Sequence, residues 1–155
     1  MKYFTLSELT KSATAKRLGI DNTADATTRA NLTALIEKVL DPLRERWGMP
    51  IIVTSGYRCV ALNKAVGGAA SSQHTKGEAA DIRTVSDSRA DNMKLLRCLL
   101  RSGIVFDQVI AEYVDAAGRP DWIHVSFKRN GANRGSKLTA TKKNGKTVYV
   151  SGIRV

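Results

Sequence analysis

Cysteine, histidine, proline and aromatic side chains are all scarce in this 155-residue sequence: two Cys, two His, three Pro, and aromatics at 6%. Cys59 and Cys98 are too few for a disulfide framework and too widely spaced for a thiolate zinc site, so both are expected to be reduced and partly buried, acting as small apolar groups. Cys59 follows Arg58, which favours a reactive thiol, but no histidine lies near it in sequence to activate it. No apolar run approaches the ~20 residues that a bilayer-crossing helix needs. The opening MKYFTLSELTKS also lacks the unbroken apolar stretch of a secretory signal. The chain is therefore expected to be cytoplasmic as synthesised and to act elsewhere only after release.

Acidic residues are missing from one whole region. Between Lys128 and Val155 there are eight Lys and Arg and no Asp or Glu, so this segment carries +8 of the net +11. Such a surface is drawn to polyanions: nucleic acid, anionic membrane, or the acidic polymers of a bacterial wall. The plainer reading is a solvated basic face that aids solubility. Nucleic acid is disfavoured, because aromatics are few and no helix-turn-helix, zinc-finger or RNA-recognition pattern is present. The composition is otherwise that of an ordinary globular protein, and the length suits one core. Residues 1–155 are expected to form a single domain, with 128–155 as a basic, hairpin-containing tail.

Residues 7–18 read as a short helix capped by Ser7 and stopped by Gly19. From Thr28 to Trp47 apolar residues recur at intervals of three and four (Leu32, Leu35, Ile36, Val39, Leu40, Leu43, Trp47), the stripe of a helix laid on a core. Asp41-Pro42 interrupts it and predicts a kink, or a restart with Asp41 as cap. Four β-rich runs follow at 51–57, 79–85, 108–114 and 122–127. Helical patterns lie between them at 60–66 and 88–102, the latter with Met93, Leu96, Leu99 and Leu100 on one face. Asn144-Gly145 between alternating segments is a hairpin signal. Together these predict an α+β fold, a small antiparallel sheet flanked by helices.

The chemistry-bearing residues are few enough to weigh singly. A catalytic zinc site takes three ligands from His and Asp or Glu and leaves one position for water. His74 lies in SSQHTKG and His124 in DWIHVSF; either alone is more often a satisfied polar residue than a ligand. Asp81, in AADIRTV, shares a strand face with Ala79, and such a carboxylate needs positive compensation. An arginine partner is one explanation. The other is that Gly77 and Ala79 leave room for an ion and a substrate. Asp121 is three residues from His124, which on a regular strand sends the two to opposite faces, but Gly118-Arg119-Pro120 suggests that Asp121 still belongs to a loop. A hydrolytic zinc site needs a carboxylate base beside it, and Asp121 is ranked ahead of Glu78 and Glu112 for that role. Arg58, ending IIVTSGYR, is the best placed arginine to face an oxyanion or a substrate carboxylate.

Ser72-x-His74-x-x-Gly77-x-Ala79-x-Asp81, followed by Asp121-x-x-His124, resembles the zinc D-alanyl-D-alanine carboxypeptidases and the related phage endolysins that cut peptidoglycan stem peptides. Ser55-Gly56-Tyr57-Arg58, FTLSEL and GIVFDQVIAEY add to the likeness, which covers roughly residues 3–127. The resemblance implies a Hedgehog/DD-peptidase-like fold, with Zn²⁺ held by His74, Asp81 and His124. It implies Asp121 as general base, Arg58 as the oxyanion or carboxylate contact, and Ser72 as a polar residue near the substrate. Where some members carry a second histidine two residues before the last ligand, this chain has Trp122, which leaves more of the burden on Arg58 and puts an aromatic side chain on the substrate's path. The activity implied is a zinc peptidase of peptidoglycan, of the D-Ala–D-Ala carboxypeptidase type. The alternatives are a phage-type L-Ala–D-Glu endopeptidase and a non-catalytic, zinc-retaining wall-binding module. The partners implied are the wall peptide and anionic wall polymers, and the expected state is a monomer.

Overall fold

The computed structural model describes residues 1–154. The segment read as one helix over 7–18 forms two, α1 (Leu6–Thr10) and α2 (Ala13–Leu18). Ser12 divides them: its hydroxyl accepts from the Ala15 N–H at 3.1 Å and so caps α2, while Thr5 rather than Ser7 caps α1. Gly19 ends α2 as expected.

The long apolar stripe becomes α3 (Ala26–Leu35), a π-helical turn (Ile36–Leu40) and α4 (Asp41–Trp47). The widened turn accommodates Pro42. Pro42 has no N–H to donate, and its ring would strike the carbonyl one turn back, so the helix opens by one residue and the Asp41 N–H reaches the Ile36 carbonyl. Asp41 does not cap its own helix. Its carboxylate accepts from the Lys2 and Tyr3 backbone N–H groups at 2.6 and 2.9 Å, fastening the start of the chain.

Six strands form one sheet in the order β1-β2-β4-β3-β5-β6: β1 (Ile51–Ser55), β2 (Ala79–Thr84), β3 (Gln108–Glu112), β4 (Trp122–Ser126), β5 (Ser136–Lys143) and β6 (Lys146–Ser151). The protein is thus α+β, but the sheet is mixed rather than antiparallel, since β5 runs parallel to β3. The cause is topological. β4 is flanked by β2 and β3, so the chain leaving it cannot add beside it; it joins the outer edge of β3, next to β4, and after reversing direction it runs as β3 does. Asn144-Gly145 turns the β5–β6 hairpin, with both residues at positive φ, and that hairpin completes the sheet.

Alternation along the central strands separates two faces. Ala80, Ile82, Val109, Ala111, Ile123 and Val125 point into the core, where they meet Leu32, Leu35, Ile36, Val39, Leu40 and Leu43 from the long helix. Met93, Leu95, Leu96 and Leu99 of α6 (Arg89–Arg101) join the same core; Leu95 is fully buried, while Leu100 is only partly covered. The opposite face carries Asp81, Ile110, Glu112, Trp122 and His124, which line an open cleft. Both cysteines are free and half-buried, and the Cys59 sulfur caps the short helix α5 (Val60–Ala65).

Gly77 has a different use from the one its position suggests. It ends the 3₁₀ turn Gln73–Lys76 at φ +72, and a Cβ there would sit 2.8 Å from the Thr28 Cγ2 and carbonyl oxygen. Its missing side chain admits helix α3, not an ion. Gly77→Ala combines backbone strain with this clash and should destabilise the protein by about 1–3 kcal/mol, read as a lowered urea midpoint at unchanged slope.

Candidate metal centre and cleft

His74, Asp81 and His124 reach one point from three directions. β2 and β4 pair so that Asp81 lies directly opposite His124. His74 arrives on the 3₁₀ turn, where the Ser72 hydroxyl accepts from the His74 N–H at 3.2 Å and the His74 carbonyl accepts from the Arg58 N–H at 3.0 Å. A register shift in β1 between Val53 and Ser55 brings the Gly56 carbonyl to His74 Nδ1 at 2.7 Å. That hydrogen bond fixes the proton on Nδ1 and leaves the Nε2 lone pair free. Asp81 Oδ1 lies 3.3 Å from His74 Nε2 and 3.1 Å from His124 Nδ1, and one donor atom from each residue falls within 4.8 Å of the others.

Two nitrogens and one carboxylate oxygen suit a divalent zinc-like cation. The electrostatics agree. Asp81 is largely buried, and among the described residues no Lys or Arg nitrogen approaches its carboxylate within 4.0 Å, so the arginine partner that would explain it otherwise is absent. Burial alone would raise its pKa, but the two facing imidazoles outweigh this and hold the carboxyl well below its ordinary range. The residues present fit a bound cation.

The group lies in an open cleft of about 750 Å³ whose walls include Arg58, Ser72, Trp122 and Glu112. Arg58 presents a guanidinium whose buried Nε has no hydrogen-bond partner. Trp122 stands on the same face as His124, two residues along β4. Asp121, by contrast, stands at a bend just before β4, where its N–H donates to the Glu112 carbonyl at 2.9 Å; its side chain turns toward the helix-covered side and is not among the cleft-lining residues. There its half-exposed carboxylate lies 3.9 Å from Arg89 of α6, and Asn92 of the same helix holds its carbonyl.

Glu112, ranked third from the sequence, occupies the face that Asp121 does not. It pairs with Trp122, one same-face step along β3 from the Ile110–His124 pair. Its side chain is buried, and burial first, then the Asp81 carboxylate, push its pKa up to about 7. Alternation in QVIAE and WIHVS contains the signal for it, but only with the register of the two strands in hand. Glu78 is not among the cleft-lining residues.

The Peptidase M15 family model matches residues 2–126. The chain belongs to the M15 peptidase family. Its members are zinc metallopeptidases, in keeping with the His-Asp-His group of this M15 chain. No curated protein matches the sequence. The family match ends at β4, so the β5–β6 hairpin of this M15 protein lies outside it. None of the helices of the described residues is long and apolar enough to cross a membrane.

Proposed function

We propose that this protein is a zinc-dependent hydrolase of peptidoglycan stem peptides, built as one domain of the Hedgehog/DD-peptidase type with the hairpin as part of its sheet. The observation that carries the reading is the meeting of His74, Asp81 and His124 in one cleft with a buried carboxylate, Glu112. His74 Nε2, Asp81 Oδ1 and His124 Nδ1 would hold the metal. A zinc ion there supplies Lewis acidity and brings the pKa of water toward ~7.

The residues divide the remaining work. Glu112, not Asp121, takes the proton from the attacking water and returns it to the departing amine nitrogen; a base with a pKa near the working pH is suited to both transfers. Arg58 offers its unpaired Nε to the negative charge that develops on the scissile carbonyl oxygen, or to a substrate carboxylate. Ser72 holds the His74 turn in shape, and Trp122 forms part of the wall against which the peptide lies. The basic segment beyond residue 127 adds attraction to anionic wall polymers.

The finer reading is D-Ala–D-Ala carboxypeptidase action. L-Ala–D-Glu endopeptidase action has one observation in its favour: the cleft continues past the metal group in both directions along β3, leaving room for chain on either side of a cut. Mass spectrometry of fragments released from defined peptidoglycan, with and without a chelator, tests the proposal. Loss of a terminal alanine, or scission at L-Ala–D-Glu, supports one or the other activity if zinc restores it after chelation. Zinc binding without release of any fragment refutes the peptidase and leaves a binding module.

A further inference from the structure

We propose that the β5–β6 hairpin, which lies beyond the family-matched residues, completes the substrate site: Tyr149, with Tyr113 and Trp122, forms an aromatic subsite for the peptide chain on the Glu112 side of the scissile bond. The inference rests on the peptidase reading above and adds to it a specificity element.

The register places these parts in sequence along the cleft. The Asp81–His124–Ile110 rung is the middle. At the Gln108 end stand Lys128 and Arg134; at the other, one same-face step of ~7 Å along β3, stand Glu112 and Trp122. Ile110 pairs with Leu138 of β5, and Tyr149 of β6 pairs with Ala140, so Tyr149 comes level with Glu112 across a strand position occupied only by a methyl group. Burial first, and then the Glu112 carboxylate, raise the Tyr149 phenol above its ordinary pKa, in accord with a ring inside the reach of that base.

A second observation shows that the hairpin is fastened to the cleft. Tyr113 adopts φ 49, a left-handed conformation that is unfavourable for a non-glycine residue. The strain turns its ring against Trp122, with centroids 5.2 Å apart, and brings its hydroxyl to within 2.6 Å of the Thr147 hydroxyl on β6. Tyr149 nevertheless remains 55% exposed in the free protein, a large aromatic surface at the lip of a cleft with nothing upon it. Such rings supply contact area at small entropic cost once a ligand covers them.

The test uses the zinc-loaded full chain and a synthetic stem pentapeptide. Tyr149→Ala should raise KM about tenfold with kcat nearly unchanged. Tyr149→Phe, which keeps the ring, should recover most of that loss, and Val150→Ala, on the opposite strand face, should match the wild type. Zinc affinity measured alongside should be the same in all of them, which separates a lost subsite from a disturbed fold. Cleavage by the wild type with an unaltered KM in Tyr149→Ala overturns the subsite alone; no binding or cleavage of the peptide by the zinc-loaded wild type overturns the peptidase reading and the subsite with it.

Discussion

Replacing Glu112 with glutamine should lower kcat on wall peptides by about 10²–10⁴-fold while zinc stays bound, because the amide keeps the shape of the side chain but cannot accept the proton of the attacking water. Asp121→Asn should change kcat by no more than about twofold, as expected of a half-exposed group paired with Arg89 on the far side of the sheet. The pair of variants decides between the two carboxylates. The pH profile should follow the same residue. A base works ionised, so activity falls as pH drops through its pKa. Burial and Asp81 bring Glu112 from 4.5 up to about 7 in the metal-free protein. A cation beside Asp81 offsets that carboxylate's repulsion, which sets the acid limb of kcat/KM between these two values. In the residual activity of Glu112→Gln that limb should be gone. Kinetics over pH with direct zinc analysis check both points.

The contrast between Glu112 and Asp121 shows what could be read in advance. His74, Asp81 and His124 were legible because each stands in a short motif whose local setting, a tight turn or an otherwise apolar strand, makes a polar side chain anomalous. The helices were legible for a similar reason: the stripe from Leu32 to Leu43 is written in local spacing, and all six of its members are buried. Glu112 depends on which residue of β3 faces which residue of β4, a relation between segments that no local pattern encodes. Asp121, three positions before His124, has its carboxylate 3.9 Å from Arg89 and outside the cleft lining, so nearness in sequence to a cleft residue does not by itself bring a side chain there. The sheet's mixed character is hidden too, because the direction of β5 depends on which of the sheet's two edges the chain joins. Gly77 stands out in its motif, but the neighbour that needs the space, Thr28, is 49 positions away in the chain.

Asp107→Asn should cost about 2–4 kcal/mol, the largest stability loss expected of any change outside the core. Asp107 has no exposed side-chain surface, and its carboxylate accepts from the Arg134 N–H, Nε and Nη2 at 3.1, 3.0 and 2.8 Å and from Gln73 Nε2 at 3.1 Å; Lys128 Nζ lies 3.7 Å away. The amide leaves two cations facing each other without their counter-charge. Arg134 is half exposed, so water recovers part of the loss, which keeps the figure below that for a fully enclosed pair. The sign with pH is fixed by the direction of the shift. Hydrogen bonding to Arg134 lowers Asp107 from 3.8 to about 2, so its contribution is complete above 3.8 and disappears as pH falls toward about 2. Wild type and Asp107→Asn should therefore differ most at neutral pH and converge in strong acid, which urea unfolding at several pH values measures. Gln73 precedes His74, and the segment carrying Arg134 leads into β5, so the same carboxylate joins the turn that carries His74 to the hairpin. Zinc affinity should fall by less than about tenfold, because the Gly56 carbonyl still orients His74. The KM for a long peptide should rise more, since the hairpin loses its side-chain anchor at the basic end of the cleft, while the β3–β5 ladder and the Tyr113–Thr147 hydrogen bond still hold it in the sheet.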